Sequence, residues 1–74
     1  MRIFKYKIIM GEYYPFGDTE YHDIKDIVQV TDDTLSDEEI KEKIVKALNL
    51  STEYKEEIGH SFVANVEINQ ILVI

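Results

Sequence analysis

The side chains best placed to do chemistry lie close together: Asp18, Glu20 and His22 alternate, Asp23 follows, and His22 and His60 are the only imidazoles among 74 residues. An imidazole is the one side chain that titrates near neutrality without help from its surroundings. Alternate positions of an extended strand share a face, so this stretch would offer a divalent ion two carboxylates and one imidazole. A closed zinc site wants four ligands, and these three flank a turn on flexible side chains, which reads as a solvated edge. No metal and no cofactor are expected. Glu12 falls opposite Glu20 in the hairpin derived below, a like-charge pair that would hold calcium weakly or cost a few tenths of a kcal/mol.

Covalent chemistry finds still less. The chain has no cysteine, so thiolate nucleophiles, disulfides and thiolate metal sites are excluded. Neither Ser36 nor Ser61 sits in a nucleophile elbow, and no glycine-rich loop is present to cradle phosphate. A working pair of carboxylates needs surroundings that push the two pKa values apart, usually in a cleft, and a chain this short has little cleft to give. The expectation is a protein that is not an enzyme.

The stretch that remains is GEYYPFGDTEY, Gly11 to Tyr21, where Tyr13, Tyr14, Phe16 and Tyr21 stand among Glu12, Asp18 and Glu20. Tyrosines are rigid and amphipathic and recur as anchors of protein interfaces. Carboxylates around them would orient a partner and speed its approach. Tyr13, Tyr14, Phe16, Asp18, Glu20 and Tyr21 are therefore the expected binding residues. The competing reading is that the rings pack on each other and stiffen a long hairpin, and both can hold together.

These residues are positioned by a hairpin. In the first strand Phe4, Tyr6, Ile8 and Met10 share one parity against Lys5 and Lys7; from Tyr21 to Thr31, His22, Ile24, Val28 and Val30 do the same against Lys25 and Gln29. Between them YPFG suits a type I turn over Pro15 and Phe16 with Gly17 left-handed, a three-residue loop. That loop pairs Tyr14 with Asp18, so Met10 opposes His22, Ile8 opposes Ile24 and Phe4 opposes Val28. The apolar faces coincide, and a slip by one residue would separate them. Asp26, the odd polar residue on this face, is expected opposite Tyr6, whose hydroxyl would donate to it.

Next, TLSDEEIKEKIVKALNL carries a capping box at Ser36 and Glu39 and a hydrophobic staple of Leu35 with Ile40. A helix is expected from Asp37, with Ile40, Ile44, Ala47 and Leu48 as its apolar stripe and Asn49 as its stop. STEYKEEIGH, from Ser51, is ambiguous. Ser51 capping a short helix with Tyr54 and Ile58 on one side and Gly59 at its end is the preferred reading, while alternation of Thr52, Tyr54, Glu56 and Ile58 allows a strand. In SFVANVEINQILVI the residues Phe62, Ala64, Val66 and Ile68 alternate before parity shifts at Asn69 and Gln70, giving a strand with a bulge or two very short strands.

The fold class is α+β: one domain over 1–74, order β-β-α-β, with a three-stranded, mostly antiparallel sheet in the order 2-1-3 and one main helix on one face. One helix leaves the other face open. Ile3, Ile9, Ile27 and Val63 are placed there among Lys5, Lys7 and Lys25, and a homodimer through that face is expected, as is a tail ILVI that finds apolar cover on a second copy.

Net charge is −7, from eight basic and fifteen acidic side chains. Between Asp32 and Glu57 lie nine acids and four lysines. Such a surface disfavours nucleic acid and anionic membranes and favours a protein partner with a basic surface, besides keeping the chain soluble. Arg2, Lys5 and Lys7 interrupt the apolar runs at the N-terminus, which reads as neither signal peptide nor membrane span, so a cytoplasmic location is expected. In size and composition the chain resembles small acidic, cysteine-free α+β proteins of bacteriophages and mobile elements. That resemblance implies direct binding and inhibition of a host protein. A structural or homo-oligomeric accessory protein is the alternative.

Overall fold

The computed structural model describes residues 1–16 and 19–74. Four elements follow in order: β1 (Arg2–Glu12), β2 (Glu20–Val30), α1 (Asp37–Ala47) and β3 (Ser61–Val73). The sheet runs β2-β1-β3 with both outer strands antiparallel to β1, so the fold is the expected α+β arrangement. Its long strands make an elongated body of 48 × 17 × 15 Å.

Between β1 and β2 the register matches the expectation throughout: Phe4 opposes Val28, Ile8 opposes Ile24, Met10 opposes His22 and Glu12 opposes Glu20. Pro15 and Phe16 lie in a turn. The left-handed Gly17 and the Tyr14–Asp18 pair fall outside the described residues.

Because β1 is paired on both sides, its inward residues are deeply buried. Phe4, Tyr6, Ile8 and Met10 form the core with Val30 and with Ile40 and Ile44 of the helix. Ile24 and Val28 on the edge strand β2 are only half-buried, and Ala47 and Leu48 at the helix end stay exposed. Tyr6 does oppose Asp26. The carboxylate, however, turns to its own edge, where Asp26 Oδ1 accepts from the Ile27 amide at 2.8 Å.

Both ends of α1 are closed by local chemistry. Ser36 Oγ accepts from the Glu39 amide at 3.3 Å, and Glu39 Oε1 accepts from the Ser36 amide at the same distance, satisfying two orphan donors of the first turn. At the other end Asn49 takes φ 54°. Its amide donates to Lys46 O at 3.1 Å and that of Leu50 to Val45 O at 3.2 Å, the paired bonds of a Schellman motif. The approach to the helix is tethered by Arg2, whose Nη2 donates to the carbonyls of Asp32 (2.8 Å) and Leu35 (3.1 Å) while its Cζ lies 5.5 Å from the centre of the Phe4 ring.

Two expectations are corrected. Residues 51–56 are neither helix nor strand, and only a turn at Ile58 and Gly59 precedes β3, so the short helix is not formed. The segment's polar groups serve the sheet instead: Ser51 O accepts from the Val63 amide at 2.8 Å, and Gly59, at φ 77°, donates to Tyr13 O at 3.0 Å. Glu53 O accepts from His60 Nε2 at 2.7 Å. A helix would withdraw these groups and move Tyr54 away from the rings it meets.

Val63 is the second correction. β3 is one strand whose register against β1 shifts twice, with Ala64 extra between the pairs Met10–Val63 and Ile9–Asn65, and Ile71 extra between Phe4–Gln70 and Ile3–Leu72. The first bulge reverses the parity at the start of the strand. Val63 therefore packs on the core opposite Met10, and Phe62 takes the open face opposite Gly11.

Candidate functional site

The hairpin end of the sheet collects six of the eight aromatic side chains, all but Phe4 and Tyr6 of the core. Tyr13 extends β1 by one step, its amide donating to His60 O at 3.1 Å. This fixes its ring on the open face. Tyr54 meets Tyr13 edge-to-face at 6.0 Å between centroids, and Phe62 meets Tyr54 edge-to-face at 5.1 Å. Edge-to-face pairs of this kind add about 0.5 to 1.5 kcal/mol each beyond the area they bury. Tyr21, opposite Gly11 on β2, completes the open-face set and is 63% exposed.

Phe16 differs from all of these. It is 99% exposed at the turn, ahead of the packed rings. A phenylalanine side chain fully in water forgoes about 1.5 to 3 kcal/mol of burial.

Tyr14 takes the other face, and its hydroxyl donates to Glu12 Oε2 at 2.8 Å. Glu12 Oε1 accepts from Ser61 Oγ at 3.4 Å, so one carboxylate ties the hairpin end to both neighbours. The hydrogen bond to Glu12, then the charge of Glu12 and lesser contributions from burial and Glu20, raise the Tyr14 pKa above its ordinary value. Partial loss of hydration against its neighbours is the main cause of a similar rise at Tyr54, which is still 53% exposed. Glu20 is exposed opposite Glu12; Asp18 lies outside the described residues.

The expected binding residues thus separate. Phe16, Tyr21 and Glu20 are free surface, Tyr13 is half-buried in the stack, and Tyr14 is held by Glu12. Tyr54 and Phe62 belong to the same assembly and were not anticipated. The spacing of Phe62 from Gly11 carries no local signal, since their meeting depends on strand pairing.

On the open face the isoleucines do not form one patch. Ile3 and the exposed Ile27 lie on one side of a charged row, Lys25–Lys7–Glu67, and Ile9 lies on the other between Asp23 and Asn65. Lys7 Nζ is 3.2 Å from Glu67 Oε2. Lys25 directly opposes Lys7, a like-charge pair that costs some stability. A groove of about 510 Å³ runs between α1 and β3, with Val45, Leu50, Val63 and Val66 as its apolar lining and Glu38, Lys41, Glu42 and Lys46 along the helix.

Among the described residues no three His, Asp or Glu side chains converge as a metal site would require, and no helix is long and apolar enough to cross a membrane. No family model, curated protein or solved structure matches this chain.

Proposed function

We propose that this chain is a protein-binding module that engages its partner with the hairpin end. Phe16 leads, Tyr21 and Glu20 flank it, and the Tyr13–Tyr54–Phe62 stack is the rigid base. The observation that carries this reading is the pairing of a 99% exposed Phe16 with interlocked rings behind it. Rigid aromatic anchors lose little entropy on binding, and an apolar ring kept in water gains most when a pocket closes over it.

Net charge −7 and the glutamates beside the tip favour a partner with a basic surface, drawn in by long-range attraction that weakens with salt. The compositional resemblance to small proteins of bacteriophages and mobile elements supports an inhibitory role, in which the tip covers a surface of a host protein.

A photo-crosslinking phenylalanine analogue at position 16 tests this in cells of the source organism. One discrete crosslinked protein, competed away by excess unlabelled chain, is the expected result. Baits with and without Phe16→Ala/Tyr21→Ala that retain the same proteins in equal amount would refute the assignment.

A further inference from the structure

The two edges of the sheet are built differently. β2 carries Glu20, Asp23, Lys25 and Asp26 along eleven residues, the kind of charge that keeps an exposed edge from pairing with another chain. β3 carries one charge in thirteen residues, Glu67, and that carboxylate is already paired with Lys7. After it come Ile71, Leu72, Val73 and Ile74, four consecutive aliphatic side chains between 50% and 70% exposed. At its start the edge of β3 is occupied by the chain's own Ser51 carbonyl, and beside that start opens the groove lined by Val45, Leu50, Val63 and Val66. An uncovered apolar tail thus stands at one end of the edge and an open apolar groove at the other.

We propose that two copies of this chain pair antiparallel through the outer edge of β3 about a two-fold axis, each tail covering the other's groove. Antiparallel pairing places the end of one β3 beside the beginning of its partner, so tail and groove meet twice, as an isologous interface requires. The segment Val66–Gln70 lies between the two bulges and pairs with itself, centred on Ile68. Ile68 then opposes its own counterpart, Glu67 opposes Asn69 and Val66 opposes Gln70 of the second copy, which keeps core-side and open-side residues on their own faces and sets no like charges opposite one another; the Val66 amide exchanges its bond to Asn65 Oδ1 (2.9 Å) for the partner strand. The bulge at Ile71 bends the strand where this pairing ends, ahead of the position held by Ser51.

Charge favours this edge over the open face. Copies that each carry −7 repel, and β3 is the long strand with the least charge to bring together. Stacking the open faces would instead bring Lys5, Lys7 and Lys25 of both copies into one interface. The result is a six-stranded sheet, β2-β1-β3-β3-β1-β2. The hairpin tips project from opposite ends, since Ser61 of β3 pairs beside the tip and Val73 at the far end. Two tips per particle would raise avidity for a repetitive partner without any new contact.

Sedimentation of the full chain and of two variants tests the proposal, with circular dichroism to verify folding and amide exchange as a second readout. The wild type is expected to dimerise. Ile71→Lys/Val73→Lys, at exposed positions, should weaken the dimer at least tenfold while keeping the fold, and Ile27→Glu on the open face should leave it intact. The outward amides of Ile68 and Gln70 should lose protection on dilution. The proposal is overturned by a monomeric wild type at high concentration, by assembly beyond the dimer, by a dimer that survives the tail variant, or by one lost with Ile27→Glu. Exchange of the Ile68 and Gln70 amides that is independent of concentration overturns it even where a variant does not fold.

Discussion

The ring of Phe62 lies over Gly11 so closely that a methyl group added there would stand 2.6 Å from its Cζ. Glycine in a strand interior costs stability relative to alanine, and here the absent side chain is the seat of the ring. Tyr54, edge-to-face on Phe62, restricts the ring's escape. Gly11→Ala should therefore destabilise by about 1 to 3 kcal/mol through overpacking. In a Phe62→Ala background the sign should reverse, the alanine gaining about 0.5 kcal/mol from its backbone entropy. A double-mutant cycle by urea unfolding measures the difference; additive effects would mean that the two residues do not meet.

What the sequence disclosed follows the range of the interactions. The hairpin register was legible because turn chemistry at Pro15 and the alternation of Phe4, Ile8, Ile24 and Val28 specify it independently. The helix start was legible because Ser36, Glu39 and Leu35 act within one turn. The segment after Ser51 was not, because Tyr54 is held by Tyr13 and Phe62, partners distant in sequence. The bulge at Ala64 was hidden as well: Phe62 and Val63 are both apolar, so either parity of SFVANVEI gives a plausible inward face. That ambiguity put Val63 on the wrong side of the sheet and left Phe62 out of the aromatic site. The packing of Tyr13 was the other gap, since nothing local to it announces Tyr54 as its partner.

Asn49 closes the helix with φ 54°, a left-handed conformation that most side chains resist by about 1 to 2 kcal/mol. Asn49→Val should cost that amount, and Asn49→Gly should match or slightly exceed wild-type stability. Ser36→Ala at the opposite end should cost about 1 kcal/mol by leaving the Glu39 amide without its acceptor. Chemical denaturation of the three variants checks both ends; an Asn49→Val protein as stable as the wild type would exclude the observed C-cap.

Asp32 sets an acid limit. Its Oδ1 accepts from the Thr34 hydroxyl at 2.6 Å and the Thr34 amide at 2.9 Å, and these bonds hold its carboxyl below the ordinary value of 3.8. A depressed folded-state pKa contributes stability that is complete above the unfolded value and is lost as pH falls through the folded one. Melting temperature should drop below about pH 4 by this route, and Asp32→Asn should flatten part of that decline. Thermal melts of both proteins from about pH 5 to pH 2 measure it. Identical slopes would mean that the loop before α1 does not sense this carboxylate.

Tyr14 sets the corresponding limit in alkali, by the opposite sign. Donation to Glu12, followed by the charge of Glu12, raises its pKa above the ordinary 10.0, because a tyrosinate would lose the bond and face a carboxylate. A raised tyrosine pKa stabilises the fold below the unfolded value, and the contribution disappears as pH rises through the folded one. Glu12→Gln keeps an acceptor and removes the charge, so the Tyr14 midpoint should fall back toward 10.0. Tyr6 and Tyr54 should keep their late titration, since loss of hydration is the first cause of each. Resolved ring signals by NMR separate the three. A basic partner seated beside Glu12 and Glu20 would oppose these carboxylates and lower the Tyr14 midpoint in the complex. The same signal therefore reports whether a partner occupies the hairpin end; a Tyr14 titration unchanged by a bound partner would locate that partner elsewhere on the chain.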